Sequence, residues 1–335
     1  MKVNAKQFIG ILSRVSKDNP KRLGIVVTDE NGQWLFLDVC GDNFDWTRYT
    51  IVGSGTDNGI RACRIMEYKK LLTWLKAVKP SCQENIDVWI ELDKSVKCSI
   101  RNKSLTVKAF GAVQDYPVAP NHRLPSFKKC VLSGMSFVDF VKWGKILLST
   151  ASDDITRPFL CGIGFRRNVL MSTDGHRISI LNLEKIGVHG IDDDSHAFLI
   201  PASGFERMVE EASTLKDGTV NIYMSTENAS KDGSPQRYVM ASFGDATRYV
   251  KLDDVVPPPY EFLDTMKPTL FFTPNDVSDI AGTLNEITSI MNTSRNHYPT
   301  FSMCDDGLRA VYELDDINYS DTIQGTWQKP EIVDD

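Results

Sequence analysis

Between Ser172 and Ser179 the chain places two serines, Asp174 and His176, the residue types that a nucleophile, an orienting acid and a general base would need for acyl transfer. Residues two apart on a strand or turn do not line up in those roles without a tertiary arrangement that spacing alone does not supply. No G-x-S-x-G elbow surrounds either serine, and no Walker loop occurs anywhere. Gly162 and Gly164 open a G-x-G that no third glycine completes. The simpler reading of His176 is a turn histidine bonded to backbone. The seven cysteines are scattered and never form C-x-x-C, so neither a zinc knuckle nor a disulfide framework is expected, and a reducing cytosol fits. No catalytic residue, metal ligand or cofactor is therefore expected, and the protein reads as a non-enzyme.

Binding is the remaining chemistry. The formal charge of −6 argues against a protein that coats nucleic acid over its whole surface, yet leaves room for a local basic face. No apolar run approaches the ~18 residues of a membrane span, and the N-terminus lacks a secretory leader, which predicts a cytoplasmic protein without membrane contact.

The elements that must carry such a face recur at intervals of roughly 60 to 75 residues. Each repeat starts with a short strand and an amphipathic helix whose apolar positions lie three and four apart. The helical sets are Phe8, Leu12 and Val15; Leu71, Leu72, Leu75 and Val78; Phe137, Val138 and Val141; Phe205, Met208, Val209 and Ala212; and Val277, Ile280, Ala281, Leu284 and Ile287. Strand-like stretches follow each helix, among them Trp34 to Val39, Val88 to Leu92, Leu105 to Phe110, Val220 to Met224 and Tyr238 to Phe243. This predicts an α+β fold of repeated β-α-β-β-β units with helices lining the inner face of a curved antiparallel sheet. Pro- and Gly-rich stretches at Asp115 to Pro125 and Val255 to Pro268 divide it into domains near 1–124, 125–262 and 263–335.

The stretch Arg157 to Ile180, with its Thr173-Asp174-Gly175-His176-Arg177 turn, resembles the signature of the bacterial DNA polymerase III β subunit, the sliding clamp. Ser104 to Val118 and Lys251 to Tyr260 look like the strands and proline exits that close that family's first and second domains, and Met1-Lys2 opens directly on a strand as clamps do. The family has six repeats per chain and this sequence offers five, so the third domain is expected to be partial. What the resemblance implies is a processivity factor that encircles duplex DNA without reading its sequence. It would close head to tail as a homodimer, be opened by a clamp loader, and tether a replicative DNA polymerase and other proteins carrying clamp-binding motifs. The alternative is a clamp-like decoy or regulator that binds those partners without closing a ring.

Three residue sets follow. The resemblance implies an apolar peptide pocket of Leu160, Thr173, Gly175, His176, Arg177, Ile178, Pro258, Phe262 and Leu263; Phe262 stands where the family usually has arginine, and the family's C-terminal wall of the pocket has no counterpart. In the family the helices line the hole, so DNA would meet Arg14 and Lys17 on the first helix, Lys69, Lys70 and Lys76 on the second, and Lys142 and Lys145 on the third. By charge the first two helices are the most basic, while the fourth and fifth carry more acids than bases. Family loop positions add Lys21, Arg22 and Arg157, although Arg157 equally suits a structural pair with Asp153 or Asp154. For the ring joint, Arg101, Lys103 and Lys108 near the strand Ser104 to Phe110 would face Asp315 and Asp316 near the strand Leu308 to Ile323 of a second copy.

Overall fold

The computed structural model describes residues 1–17, 22–28, 34–40, 46–54, 61–65, 67–91, 94–109, 127–190, 197–225, 237–252, 255–260, 271–291, 299–314 and 317–328. Among them the β-α-β-β-β repeat occurs five times. The first is β1 (Lys2–Asn4), α1 (Ala5–Lys17), β2 (Arg22–Thr28), β3 (Trp34–Cys40) and β4 (Trp46–Ser54); the second is β5 (Arg61–Ile65), α2 (Tyr68–Val78), β6 (Asn85–Glu91), β7 (Ser95–Ile100) and β8 (Lys103–Lys108). The third is β9 (Phe127–Ser136), α3 (Phe137–Thr150), β10 (Gly162–Arg166), β11 (Val169–Thr173) and β12 (Ile178–Asn182); the fourth is β13 (Phe198–Pro201), α4 (Ala202–Ser213), β14 (Thr219–Ser225), β15 (Tyr238–Phe243) and β16 (Ala246–Lys251). The fifth is β17 (Phe271–Pro274), α5 (Val277–Met291), β18 (Thr300–Cys304), β19 (Gly307–Leu314) and β20 (Ile317–Gln328). The expected fold class is the one observed: mixed helix and antiparallel sheet in a repeated unit.

The chain forms two compact bodies, Met1–Pro258 and Pro259–Asp335. In the larger body the repeats interlock in pairs, because each opening strand joins the sheet of its neighbour. Thus β1 pairs with β6 while β5 pairs with β2, and β9 pairs with β14 while β13 pairs with β10. Neither repeat of a pair completes its sheet alone. The two pairs are then joined through last strands: β4 runs antiparallel to β16, with Tyr49 opposite Ala246 and Trp46 opposite Tyr249.

Helices are placed by their apolar stripes. Phe8, Leu12 and Val15 of α1, and Leu71, Leu72, Leu75 and Val78 of α2, are buried in one core. Asn4 caps α1 by accepting the Gln7 N–H at 3.1 Å. Ser136 caps α3 reciprocally with Asp139, whose N–H donates to the Ser136 hydroxyl at 3.1 Å while that hydroxyl donates back to the carboxylate at 2.6 Å. On α3 the buried positions are Phe137, Phe140, Gly144, Leu147 and Thr150. Val138, expected on the inner stripe, is 70 % exposed, because one residue advances ~100° around the helix and Phe137 already fixes the inward phase. Phe205, Met208, Val209 and Ala212 of α4 are buried as expected, and Phe140 meets Phe205 with ring centroids 5.4 Å apart.

In the smaller body the sheet order is β17-β20-β19-β18. Here too the expected stripe shifts: Thr283 and Ile287 of α5 are buried while Ala281 and Leu284 are exposed. Thr283 donates its hydroxyl to Asp321 of β20, so a polar anchor sets the helix phase that apolar content alone assigned to Leu284.

Candidate functional site

The Thr173–Ile178 turn is built to hold its shape. Thr173 donates its hydroxyl to the Arg177 carbonyl at 2.6 Å and accepts the Gly175 N–H at 3.0 Å. Asp174 accepts the N–H groups of His176 and Arg177 on one oxygen, at 2.9 and 2.8 Å, and the Arg177 guanidinium on the other. Partial burial pushes the Asp174 carboxyl upward, but these donors outweigh it and hold the group well below the usual carboxylate range. Gly175 sits at φ +92°, where a side chain would be strained, and a Cβ there would lie 3.3 Å from a guanidinium nitrogen of Arg157 and 3.8 Å from Leu160.

Leu160 is therefore brought against the turn, buried at the end of the short 3-10 helix Pro158–Leu160. The loop before it is tied down by Asp154, which accepts from the Thr156 N–H and hydroxyl and, at 2.8 Å, from Arg157 Nε. The Thr156 hydroxyl, and after it the Arg157 guanidinium, depress the Asp154 carboxyl. Arg157 thus takes the structural pairing with Asp154 and also stands beside Gly175. Its place next to the turn was not read from the sequence, where it counted toward DNA or toward a pair with Asp153 or Asp154; its position immediately before Pro158–Phe159–Leu160 was the available signal.

The sheet β12-β11-β10-β13 separates two faces. Ile163, Phe165, Leu170, Leu181, Phe198 and Ile200 point into the core shared with the helices. On the opposite face, Gly164, Met171 and Ile180 form one cross-strand row. A Cβ on Gly164 would lie 2.5 Å from Pro257 and 3.1 Å from Met171, so Pro257 lies directly over β10, and Pro258 follows it in the chain. Thr173 and Ile178 are opposite each other one pleat away. Leu160 thus stands against Gly175, Thr173 faces Ile178 across β11 and β12, and His176 and Arg177 are exposed on the turn; Phe262 and Leu263 lie outside the described residues. Met171, Pro257 and Ile180 were missed, although the Ile-x-Ile alternation of β12 and the bare Gly162-x-Gly164 strand pointed to an apolar face.

Ser172 does not join His176 in a triad. Ser172 is buried on β11, with its hydroxyl 2.6 Å from the Leu147 carbonyl, to which it donates, and 2.5 Å from Thr150. Among the described residues no group of His, Cys, Asp and Glu is arranged to hold a metal ion, and no helix is long and apolar enough to cross a membrane.

The expected DNA cations divide. Lys69, Lys70 and Lys76 stand exposed on α2, with Lys70 paired to Glu67 at 2.6 Å; Lys142 and Lys145 are exposed on α3, and Lys142 lies 4.9 Å over the Trp143 ring. Arg14 is committed elsewhere. Its guanidinium, 13 % exposed, binds Asp245 at 2.7 Å, approaches Glu211 at 3.6 Å and stacks 5.0 Å over Tyr49, whose hydroxyl donates to Glu211. That cluster ties α1 to α4 and to the strands of the β4–β16 joint. Lys17 and Arg22 lie in α1 and β2 by their backbones, without a described side-chain position, and Lys21 lies outside the described residues.

The ring-interface set divides likewise. Lys103 and Lys108 are exposed on β8, which ends its sheet with no strand on its outer edge among the described residues. Arg101, in the turn before β8 at φ +52°, is held by Glu84 through two bonds of 2.5 Å. The Arg101 guanidinium, and then the Ser81 N–H, pull the Glu84 carboxyl down to about 2. Asp315 and Asp316 lie outside the described residues.

Across 98 % of its length the chain superposes on the β subunit of the DNA polymerase of Streptococcus pyogenes (TM-score 0.72, 14 % identity) and on the DNA polymerase III β subunit of Pseudomonas aeruginosa (0.70, 16 %), covering 84 % of each. The fold is that of the bacterial sliding clamps. A third similar structure, the Helicobacter pylori β clamp bound to a DNA ligase peptide, has a TM-score of 0.65 and 16 % identity, with 97 % of this chain and 84 % of that one covered. No family model and no curated protein matches the sequence.

Proposed function

We propose that this protein is a DNA sliding clamp: a non-enzymatic, cytoplasmic processivity factor that closes head to tail as a homodimer around duplex DNA. The clamp fold over nearly the whole chain is the observation that carries this reading. A clamp loader would open the ring, and a replicative polymerase and other motif-bearing proteins would dock on the face formed by Leu160, Gly175, Ile178 and Pro258. Three domains bounded near 1–124, 125–262 and 263–335 would supply the arc.

The chain already contains a joint of the kind such a ring needs, since β4 and β16 are last strands of two repeats paired antiparallel. β8 and β20 are also last strands. On the side of β20 away from β19, Gly325–Gln328 pair with β17 and the Gln324 carbonyl accepts the Asn275 N–H at 2.9 Å, leaving Ile317–Ile323 without a strand partner there among the described residues. Lys103 and Lys108 on β8 would meet the acidic side contributed by Glu313, Asp315 and Asp316. Lys69, Lys70 and Lys76 would screen phosphates from α2.

The test uses topology against charge. Contacts made by charge alone weaken roughly a thousandfold or more between about 50 and about 200 mM salt, whereas a closed ring stays on a circle. Loaded on a nicked circle, the protein should remain at high salt and leave once the circle is linearised, and Lys103→Glu with Lys108→Glu should abolish retention. A protein that is monomeric at micromolar concentration and leaves circles and linear DNA at the same salt is an open module, and the ring reading fails. For the docking face, a Gln-Leu-Ser-Leu-Phe peptide should bind and lose about thirtyfold or more in affinity with Leu160→Ala.

A further inference from the structure

We propose that the outer edge of β12 accepts an extended partner segment as an added strand, so that the peptide is held by main-chain bonds as well as by apolar side chains. This rests on the peptide-docking reading above and specifies how that docking is made.

The phase of the ladder fixes which groups are available. The Asp174 N–H donates to the Arg177 carbonyl at 3.3 Å, and the Leu183 N–H to the Asn168 carbonyl at 2.8 Å. Both fall in the register that pairs Ser172 with Ser179 and Leu170 with Leu181, so Ser179 and Leu181 spend their main-chain groups on β11. Ile178, Ile180 and Asn182 then direct theirs outward, and β12 ends its sheet with no further strand among the described residues.

This edge lacks the protection that the other edges of Met1–Pro258 carry. Open edges attract unintended pairing, and proteins guard them with charge, proline or bulges. In Met1–Pro258 the other described terminal strands are so guarded: β5 has Arg61 and Arg64, β8 has Lys103 and Lys108, β9 has Lys128 and Lys129 with register shifts against β14, and β13 ends in Pro201. β12 reads Ile-Ser-Ile-Leu-Asn, with no charge, no proline and no register shift against β11. Its Ile180 is 40 % exposed on the face that carries Met171 and Pro257, while the braced Asp174–Arg177 turn keeps one end of the edge rigid.

These features define the occupant. A strand laid against β12 puts every second residue beside Ile178 and Ile180, so the partner is an extended segment with apolar residues at alternate positions and no charge between them. A Leu-x-Leu core fits, its two leucines on the apolar face and its main chain bonded to Ile178, Ile180 and Asn182.

Amide exchange on the full chain with the Gln-Leu-Ser-Leu-Phe peptide tests this. Ile178, Ile180 and Asn182 should each slow by about tenfold or more on binding, with Ser179 and Leu181 unchanged. Methylating the peptide nitrogens one at a time should cost about tenfold in affinity at alternate positions and little at those between. If the peptide binds, is weakened by Leu160→Ala, and yet neither the amide pattern nor the methylation phase appears, strand addition is wrong and the docking face stands. Absence of any binding removes both. Protection of the same three amides in the free protein that rises with its concentration assigns the edge to a second copy of this chain and overturns the proposal.

Discussion

Replacing Gly164 by alanine puts a methyl group where the structure has none to spare. The new Cβ would stand 2.5 Å from Pro257 Cβ, 3.2 Å from its Cγ and 3.1 Å from Met171 Cγ, against a normal carbon–carbon contact of about 3.5–4.0 Å. Met171 has the rotamer freedom to yield a few tenths of an ångström. Pro257 is a rigid ring in a proline run, so residues 255–258 must lift by about 1 Å or β10 must sink toward the helices. Such overpacking costs about 1–3 kcal/mol. Gly164→Ala is therefore expected to lower the unfolding free energy by that amount and, by lifting the wall that includes Pro258, to weaken the Gln-Leu-Ser-Leu-Phe peptide about tenfold. A double-mutant cycle isolates the cause: adding Pro257→Gly, which removes the opposing carbon, should recover at least about 1 kcal/mol of the loss beyond additivity. Denaturant unfolding and calorimetric titration of the four proteins measure both quantities. Additive losses, or a single mutant as stable and as tight as the parent, would show that residues 255–258 do not rest on β10.

Asp174→Ala removes the acceptor of two backbone N–H groups and of a guanidinium, so the turn should lose about 1–2 kcal/mol of local stability. Faster amide exchange at His176 and Arg177 with a nearly unchanged melting temperature is the expected reading; unchanged exchange refutes the brace. Glu84 is lowered from 4.5 to about 2 in the fold by Arg101. Since the folded value is the depressed one, the pair's contribution is complete above about pH 4.5 and is lost as pH falls toward 2. Arg101→Gln should return the Glu84 carboxyl toward 4.5 in an NMR titration and flatten the acid limb of the stability curve between those values; a Glu84 titration that stays near 2 would refute the pairing. Arg14→Met should destabilise the larger body by about 3 kcal/mol, since it strips a buried carboxylate of a nearby cation, while leaving the salt dependence of DNA binding in place. The reverse pattern, an intact melting temperature with weaker DNA binding, would return Arg14 to the phosphate-contacting set.

The fold was legible because its information is periodic. Helical stripes such as Phe8, Leu12 and Val15, and the strand-only intervals between helices, recur often enough that one misread element does not disturb the count. What periodicity does not encode is the exchange of opening strands between paired repeats, since β1 and β5 carry no mark of which sheet they enter. The misplaced helical residues share a cause. Val138, Ala281 and Leu284 read as inward by their apolar character, and in both helices neighbouring side chains, Phe137 on α3 and the Thr283–Asp321 bond on α5, set the phase.

The candidate site was legible to the extent that it is local. Thr173 through Ile178 is a turn whose bonds run among its own members, and it is found as a unit. The cations were not, because a charge is defined by what faces it from elsewhere in the fold. Arg14 and Lys76 look alike on their helices, yet Arg14 faces Asp245 and Glu211 across 231 and 197 residues of sequence, while Lys76 faces solvent. Arg101 and Lys103 differ in the same way, one closed on Glu84 and the other open. A helix charge count therefore overstates a nucleic-acid surface by the cations the fold consumes internally. In this chain the first helix loses Arg14 to the β4–β16 joint, while Lys69, Lys70 and Lys76 of α2 stay exposed.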